Sequence, residues 1–465
     1  MLDSFFNLLL DFFSQSPTFI FLQLFAIFGY LVFFQLVATL FLHFLAEFRQ
    51  KKNVSKWKWV VLAMDSPALN VQTPKAVEQF FFHLAGAYSG PNVGEKFWGG
   101  YKQKWFSFEI ISIEGYIQFL VRTEETFRDL VEAAMYAQYP DAEITEVEDY
   151  VTAIPEKFPN PEYDIWGADF SLANDNAFPI RTYREFEHSI SKDTVLKDPM
   201  GAFLESFSRI GVGEQMWFQI LIEPISNSWK EPAINKIKEL IGDESSKAGH
   251  GGNAFLDSLS SVPMKFLEGV GDQVFSREAS APHEEKKGPP NKLGSMTPGQ
   301  SKLVEAMEKK ISMLGFKTKM RGLYIGRKEV FKPSRGVNAL IGSIQQYNIP
   351  TANSIVPKFT TGADYFFSKQ RSDERKTGMI KAYKKRKIGW GANPCILNVE
   401  ELATIWHFPM SHVKTPSVQK AQNKNAEPPA GLPVERIFLA PPITDISGEA
   451  PHIDGGNFDT DTKFG

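Results

Sequence analysis

Residues 105–122 read WFSFEIISIEGYIQFLVR, and the fold turns on them. Two β-rich runs flank a turn at Glu114-Gly115, the pattern of an antiparallel hairpin. On the C-terminal side, Thr123 with Thr126 opens a helix through EETFRDLVEAAMYAQY, with Phe127, Leu130, Val131 and Ala134 on one face. Pro140 stops it, and AEITEVED (142–149) alternates apolar and polar as a strand does. On the N-terminal side, WKWVVLAM (57–64) is β-rich. Thr73-Pro74 then starts a helix through AVEQFFFHLAGAY, because Thr caps and Pro suits a first turn. A glycine-containing loop with an exposed Phe97-Trp98 leads to the hairpin. The order over 57–150 is β-α-β-β-α-β, the split arrangement of ferredoxin-like folds. That fold hosts many functions and names none.

A second module of the same kind is expected over 160–360. WGADFSL and QMWFQILIEP read as strands, with PMGAFLESFSRI as a helix between them. KEPAINKIKELIG follows as an amphipathic helix whose stripe is Ile234, Ile237, Leu240 and Ile241. Residues 242–298 are rich in Gly, Ser, Pro and charge and read as a flexible insertion. Within it, AFLDSLSSVPMKFLEGV (254–270) is expected as a short interfacial helix broken by Pro263. TPGQSKLVEAMEKKISML restarts helical order, then FKTKMRGLYIG is a strand, SRGVNALIGSIQQYN a helix and SIVPKF a last strand. Residues 361–412 form a basic segment with a short helix, and the Pro/Gly-rich tail 413–465 is expected to be extended.

Ahead of both modules the chain carries no charge from Phe12 to Ala46. About 20 apolar residues cross a bilayer core as a helix, so 17–47 reads as a transmembrane helix. The run is too long for a signal-peptide core and lacks a basic n-region. Asp3 and Asp11 precede it, whereas Arg49, Lys51, Lys52, Lys56 and Lys58 follow, which places the rest of the chain on the cytoplasmic side. Trp57 and Trp59 belong near the headgroups, and residues 1–16 lie amphipathically on the outer surface.

The net charge of −3 does not mark the whole chain as a nucleic-acid binder. One cysteine, Cys395, excludes an internal disulfide and a Cys-based zinc site. There is no HExxH pair, and His407 and His412 have no acidic residue between them. GxxxxGK[ST] does not occur, and GDESSKAGHGG (242–252) lacks its spacing. GVGEQMWF (211–218) precedes a strand, whereas a dinucleotide fingerprint follows one. No GxSxG elbow is present. Asp141, Glu143, Glu146 and Glu148 alternate and are expected to face solvent. No catalytic, cofactor-binding or metal residue is assigned, and no enzyme activity is expected. The one prominent charge cluster is KQRSDERKTGMIKAYKKRK (369–387). Its cations Lys369, Arg371, Arg375, Lys376, Lys381, Lys384, Lys385, Arg386 and Lys387 are candidates for contact with acidic lipid, a partner, or nucleic acid.

Residues 396–409 read ILNVEELATIWHFP, with Asn398 and Glu401 spaced as a capping box. VKTPSVQKA (413–421) and AEPPAGLP (426–433) follow. This series resembles the region ahead of the ATPase core in membrane-anchored, type IV secretion coupling-protein-like chains of bacteria, including candidate-phyla members. FLVRTEETFRDLVEAAMYAQYPDAEITEVEDY (119–150) is similar to the N-terminal region of those chains, and the resemblance covers most of 18–433. In that family a nucleotide-binding core follows the PPxxLP segment. Here about thirty residues follow with no Walker motif. The resemblance therefore implies an accessory portion, split from its motor or standing alone, and the DNA-pumping activity does not carry over. The expectation is an α+β, non-catalytic membrane scaffold for a conjugation-type coupling ATPase, with a membrane-tethered DNA-binding protein as the alternative. Expected partners are the membrane, an ATPase or secretion-complex subunit, DNA under the alternative, and further copies of the chain.

Overall fold

The computed structural model describes residues 16–65, 70–92, 94–95, 98–188, 195–196, 198–241 and 296–410. The expected N-terminal amphipathic segment, the interfacial helix at 254–270, the bulk of the 242–298 insertion, Phe97, His412 and the 413–465 tail lie outside them.

Helix α1 (Pro17–Val54) begins with Pro in its first turn and ends with Lys51 and Lys52 in its last. It is long and apolar enough to cross a membrane, and its most apolar stretch is wholly unburied. Next come β1 (Trp59–Asp65), α2 (Pro74–Ala85), β2 (Phe106–Ile113), β3 (Tyr116–Glu124), α3 (Arg128–Gln138) and β4 (Glu143–Val147). The hairpin turns at Glu114 and Gly115, both with positive φ. The cap ahead of α3 is Glu124, which accepts from the Thr126 amide, rather than Thr123. The strands lie in the order β4-β1-β3-β2, every pair antiparallel.

The second segment repeats that plan. It holds β5 (Tyr163–Leu172), a two-residue pair β6 (Glu187–His188) and β7 (Val195–Leu196), α4 (Pro199–Ser208) and β8 (Glu214–Pro224). Then come α5 (Lys230–Ile241), α6 (Pro298–Ser312), β9 (Gly315–Arg327), α7 (Pro333–Gln345) and β10 (Ile355–Thr360). Its strands lie in the order β10-β5-β9-β8. β2 of the first segment pairs antiparallel with β8 of the second, from Phe106↔Ile222 to Ile113↔Gln215. The two segments therefore share one continuous sheet. Helix α8 (Ser368–Lys384), β11 (Cys395–Asn398) and α9 (Val399–Ile405) complete the described chain. β11 pairs with Gly315–Thr318 of β9, the stretch that β5 leaves unpaired.

Alternation along each strand builds two cores. One face carries Leu62, Phe108, Phe119, Phe170, Phe218 and Met320 under α2, α3, α4, α7 and α9. Trp406 sits at its centre, with ring centroids 4.9 Å from Phe108 and 5.9 Å from Phe119. Fully burying side chains of this size stabilises by roughly 1.5–3 kcal/mol each. Asn398 and Glu401 close the expected capping box of α9. On α5 the stripe is rotated: Ala233 and Ile237 are buried, whereas Ile234 and Leu240 are exposed. The opposite face carries Ala63, Leu120, Trp217, Leu323 and Ile325, covered by Val151, Ile154 and Phe158 and by Met379, Ile380 and Tyr383 of α8.

Candidate functional site

Two structures stand out on the sheet, and both begin with side chains whose chemistry the strands alone do not need. The first is the seat of α1. Arg49 Nη1 donates to the Trp98 carbonyl at 2.7 Å, and Asn53 Nδ2 donates to the Gly100 carbonyl at 3.2 Å. Gly100 has φ +65°, and a Cβ there would meet the Arg49 backbone at 2.7 Å, so only glycine lets the loop touch the helix. Below the helix, Trp57, Trp59 and Trp105 pack with ring centroids 4.9–5.9 Å apart. Val54 of α1, Leu221 of β8 and Ile388 join this cluster. Cations stack on its rings: Arg122 lies 4.1 Å from the Trp59 centroid and Lys102 5.1 Å from that of Trp105. Burial, with the nearby Arg386 charge, lowers the Arg122 guanidinium to about 10. The apolar helix is thus bolted to the sheet margin rather than strung on a loop.

The second is a layer of buried charge between the sheet and α8. Asp169 of β5 takes Lys319 Nζ and Arg321 Nε of β9, each at 2.7 Å, and all three side chains are buried. Arg321 also donates to the carbonyls of Ala382, Lys387 and Trp390, and so clamps the last turn of α8 and the chain after it to the sheet. The Ala392 amide donates to Asp169, and Gly391 at φ +81° leaves the space that a Cβ would take from that carboxylate. Beside it, Arg386 reaches both Glu109 oxygens at 2.9 and 3.0 Å and also pairs with Asp149. Ser107, Tyr150 and Gln219 donate further hydrogen bonds to Glu109. Burial pushes the Glu109 carboxyl up, but the Arg386 charge and these donors outweigh it and hold it below its ordinary value. Burial pulls Arg386 down, and its two carboxylates more than reverse that. A carboxylate saturated by four donors, out of reach of solvent, acts as a structural tie rather than a proton carrier.

These ties divide the basic segment 369–387. Arg386 corrects its reading as one surface: it is buried and points into the sheet, because Glu109 and Asp149 lie there. Lys376 pairs with Asp164 at 2.6 Å, Arg375 donates to the Gly362 carbonyl, and Lys384 donates to that of Ile154. Lys369, Arg371, Lys385 and Lys387 are exposed and Lys381 is half-buried. Asp141, Glu143, Glu146 and Glu148 face solvent. His407 is buried and shares a 2.8 Å contact with Asp198. Among the described residues no three His, Cys, Asp or Glu side chains gather as metal ligands do.

The model of a family described as "Domain of unknown function (DUF8128)" matches residues 92–421. That is more than half of the chain. The chain belongs to this family. The match takes in the β2–β8 junction, both buried ion ties and α8. No curated protein matches the chain.

Two features carry no clear signature in the sequence. The ions of β9 alternate as Lys317, Lys319 and Arg321, which is also the pattern of a solvated face. The loop before α8 exposes three consecutive aromatics, Tyr365, Phe366 and Phe367. Neighbouring phenylalanines most often belong to a core, so composition gave no sign of that exposure.

Proposed function

We propose that the chain is a membrane-anchored, non-catalytic scaffold, with its sheet held at the cytoplasmic face by α1. The observation that carries this reading is the contrast along α1. Its apolar turns are exposed to the surroundings, whereas Arg49 and Asn53 in its last turns are fastened to the 98–100 loop. Exposed apolar surface on this scale is unfavourable in water and favourable in lipid. The basic residues after the helix support the cytoplasmic orientation. The Trp57–Trp59–Trp105 cluster with its stacked cations suits the headgroup layer.

On this reading the body is two ferredoxin-like modules joined through their second strands. The shared strand order, fourth-first-third-second, supports this in both segments. The edge-to-edge joint at β2–β8 makes a rigid platform, and the resemblance to coupling-protein-like chains suggests its cargo: a hexameric ATPase of the type IV secretion or conjugation kind. The test is affinity purification of the tagged full-length chain from detergent-solubilised membranes at native levels. Co-purification of a P-loop ATPase supports the scaffold, and recovery of the chain without one sinks the association. The DNA-binding alternative keeps Lys369, Lys381, Lys385 and Lys387 as its cations, since Arg371, Arg375, Lys376, Lys384 and Arg386 are engaged within the fold.

A further inference from the structure

The seat of α1 gathers more positive charge than its carboxylates balance. Each ring of the tryptophan cluster bears one cation: Lys104 lies 5.6 Å from the Trp57 centroid, Arg122 4.1 Å from that of Trp59 and Lys102 5.1 Å from that of Trp105. Lys104 has a carboxylate of its own, Glu124, at 2.6 Å. Arg122 and Lys102 have none within ion-pair distance among the described residues. Glu109 and Asp149, whose charges reach Arg122, are both held by Arg386. Strand register aims Arg122 at this place. It pairs with Val61 and with Ser107, and Ser107 pairs with Leu221 of the same cluster, so these side chains leave the sheet on one face. A guanidinium stacked on a ring keeps its edge of N–H donors free, and that fork fits a phosphate.

Desolvation lowers the Lys102 ammonium below its ordinary value; Glu223 and Glu47 oppose this, and the like charges of Lys317 and Lys387 add to it. The influence of Glu47 also places the patch. Glu47 is the first charge after the uncharged run of α1, so Lys102 lies near the point where the helix leaves its apolar stretch. We propose that this patch binds the phosphate of anionic phospholipid headgroups, with Lys102 and Arg122 as the residues that take it. The proposal rests on α1 spanning the bilayer, and it adds a charge-selective hold on the membrane to the apolar one. Position favours lipid over nucleic acid, because tryptophans concentrate at the headgroup layer and cations just inside the membrane meet its negative surface potential. A free phosphate offers the same oxygens, but α1 tethers the patch to a surface where the lipid is locally concentrated.

The experiment titrates the full-length chain in neutral detergent with phosphatidylglycerol, phosphatidylcholine or inorganic phosphate, and follows the bound molecules by native mass spectrometry. The wild type is expected to retain phosphatidylglycerol about tenfold more tightly than phosphatidylcholine, with a preference that shrinks as salt is raised. Lys102→Gln and Arg122→Gln are each expected to weaken phosphatidylglycerol by about fivefold and to leave phosphatidylcholine unchanged. Lys102→Arg is expected to keep the wild-type preference. If Arg122→Gln loses its fold, Lys102→Gln, at an exposed position, decides the matter. Equal retention of the two lipids, or a preference that both glutamine variants keep, overturns the proposal while leaving the insertion of α1 untouched. Displacement of the lipid by inorganic phosphate at equal concentration would assign the site to the free ion and overturn it. Duplex DNA bound by the wild type and lost by the glutamine variants, without a lipid preference, would assign the patch to nucleic acid and overturn it too. A chain released from membranes by alkaline carbonate fails the spanning reading itself, and the proposal with it.

Discussion

At the residue scale, Arg386 holds the cover to the sheet. It is buried against Glu109 and Asp149. Removing one partner of such a pair leaves an uncompensated charge, which costs roughly 3–5 kcal/mol. Arg386→Ala is therefore expected to lower the melting temperature of the full-length chain sharply, and Lys387→Ala, exposed one residue on, to leave it nearly unchanged. Thermal denaturation in detergent compares the two. Glu109 adds a pH dependence whose sign follows from its lowered folded value. The unfolded carboxyl titrates near 4.5. The tie contributes fully above that value and is lost as the pH falls through the lower folded one. Melting temperatures followed from about pH 7 to about pH 3 should fall in acid, and Glu109→Gln should flatten that limb while lowering the plateau. An acid limb as steep in the variant as in the wild type would assign acid sensitivity to other carboxylates, Asp198 beside His407 among them. The sequence hid these residues for a physical reason. A charged residue on one face of a strand reads as solvated, and only strand register and the path of α8 bring Lys319, Arg321 and Asp169 together.

At the element scale, most of the strands and helices were legible. The hairpin at 106–124 follows from alternation, and α2 and α4 from Pro at their first turns; Asp198 caps α4, whereas Thr73, expected to cap α2, makes no side-chain bond to it. The stripe on α5 was misjudged by one position, because Ile and Leu recur on two adjoining faces and burial under α6 selects Ala233 and Ile237. Two glycines show where elements touch. Gly100→Ala would place a methyl against the Arg49 backbone at a positive φ and should loosen α1 from its seat. Spin labels on α1 and on β3 would then report a broadened distance distribution, where the wild type gives a narrow one. Gly336→Ala would drive a methyl into the Tyr324 ring where α7 crosses β9. Overpacking of that kind typically costs about 1–3 kcal/mol. A melting temperature equal to wild type would contradict the close crossing.

At the scale of the whole molecule, the sequence divides into two similar segments, but their strands make one sheet. The pairing of β2 with β8 joins them, and alternation says which face of a strand is buried, never which edge meets which. α9 and Trp406 then fill the core beneath both segments, so the helix expected only as a short appendage is a central packing element. The most direct test is labelling of a Lys102→Cys chain with a membrane-impermeant maleimide, in intact cells and after lysis. Lys102 is exposed beside the α1 seat, and the native Cys395 is buried and gives little background. A scaffold held at the cytoplasmic face by α1 predicts a membrane-bound chain labelled only after lysis. Labelling in intact cells, or recovery of the chain in the soluble fraction, would contradict it.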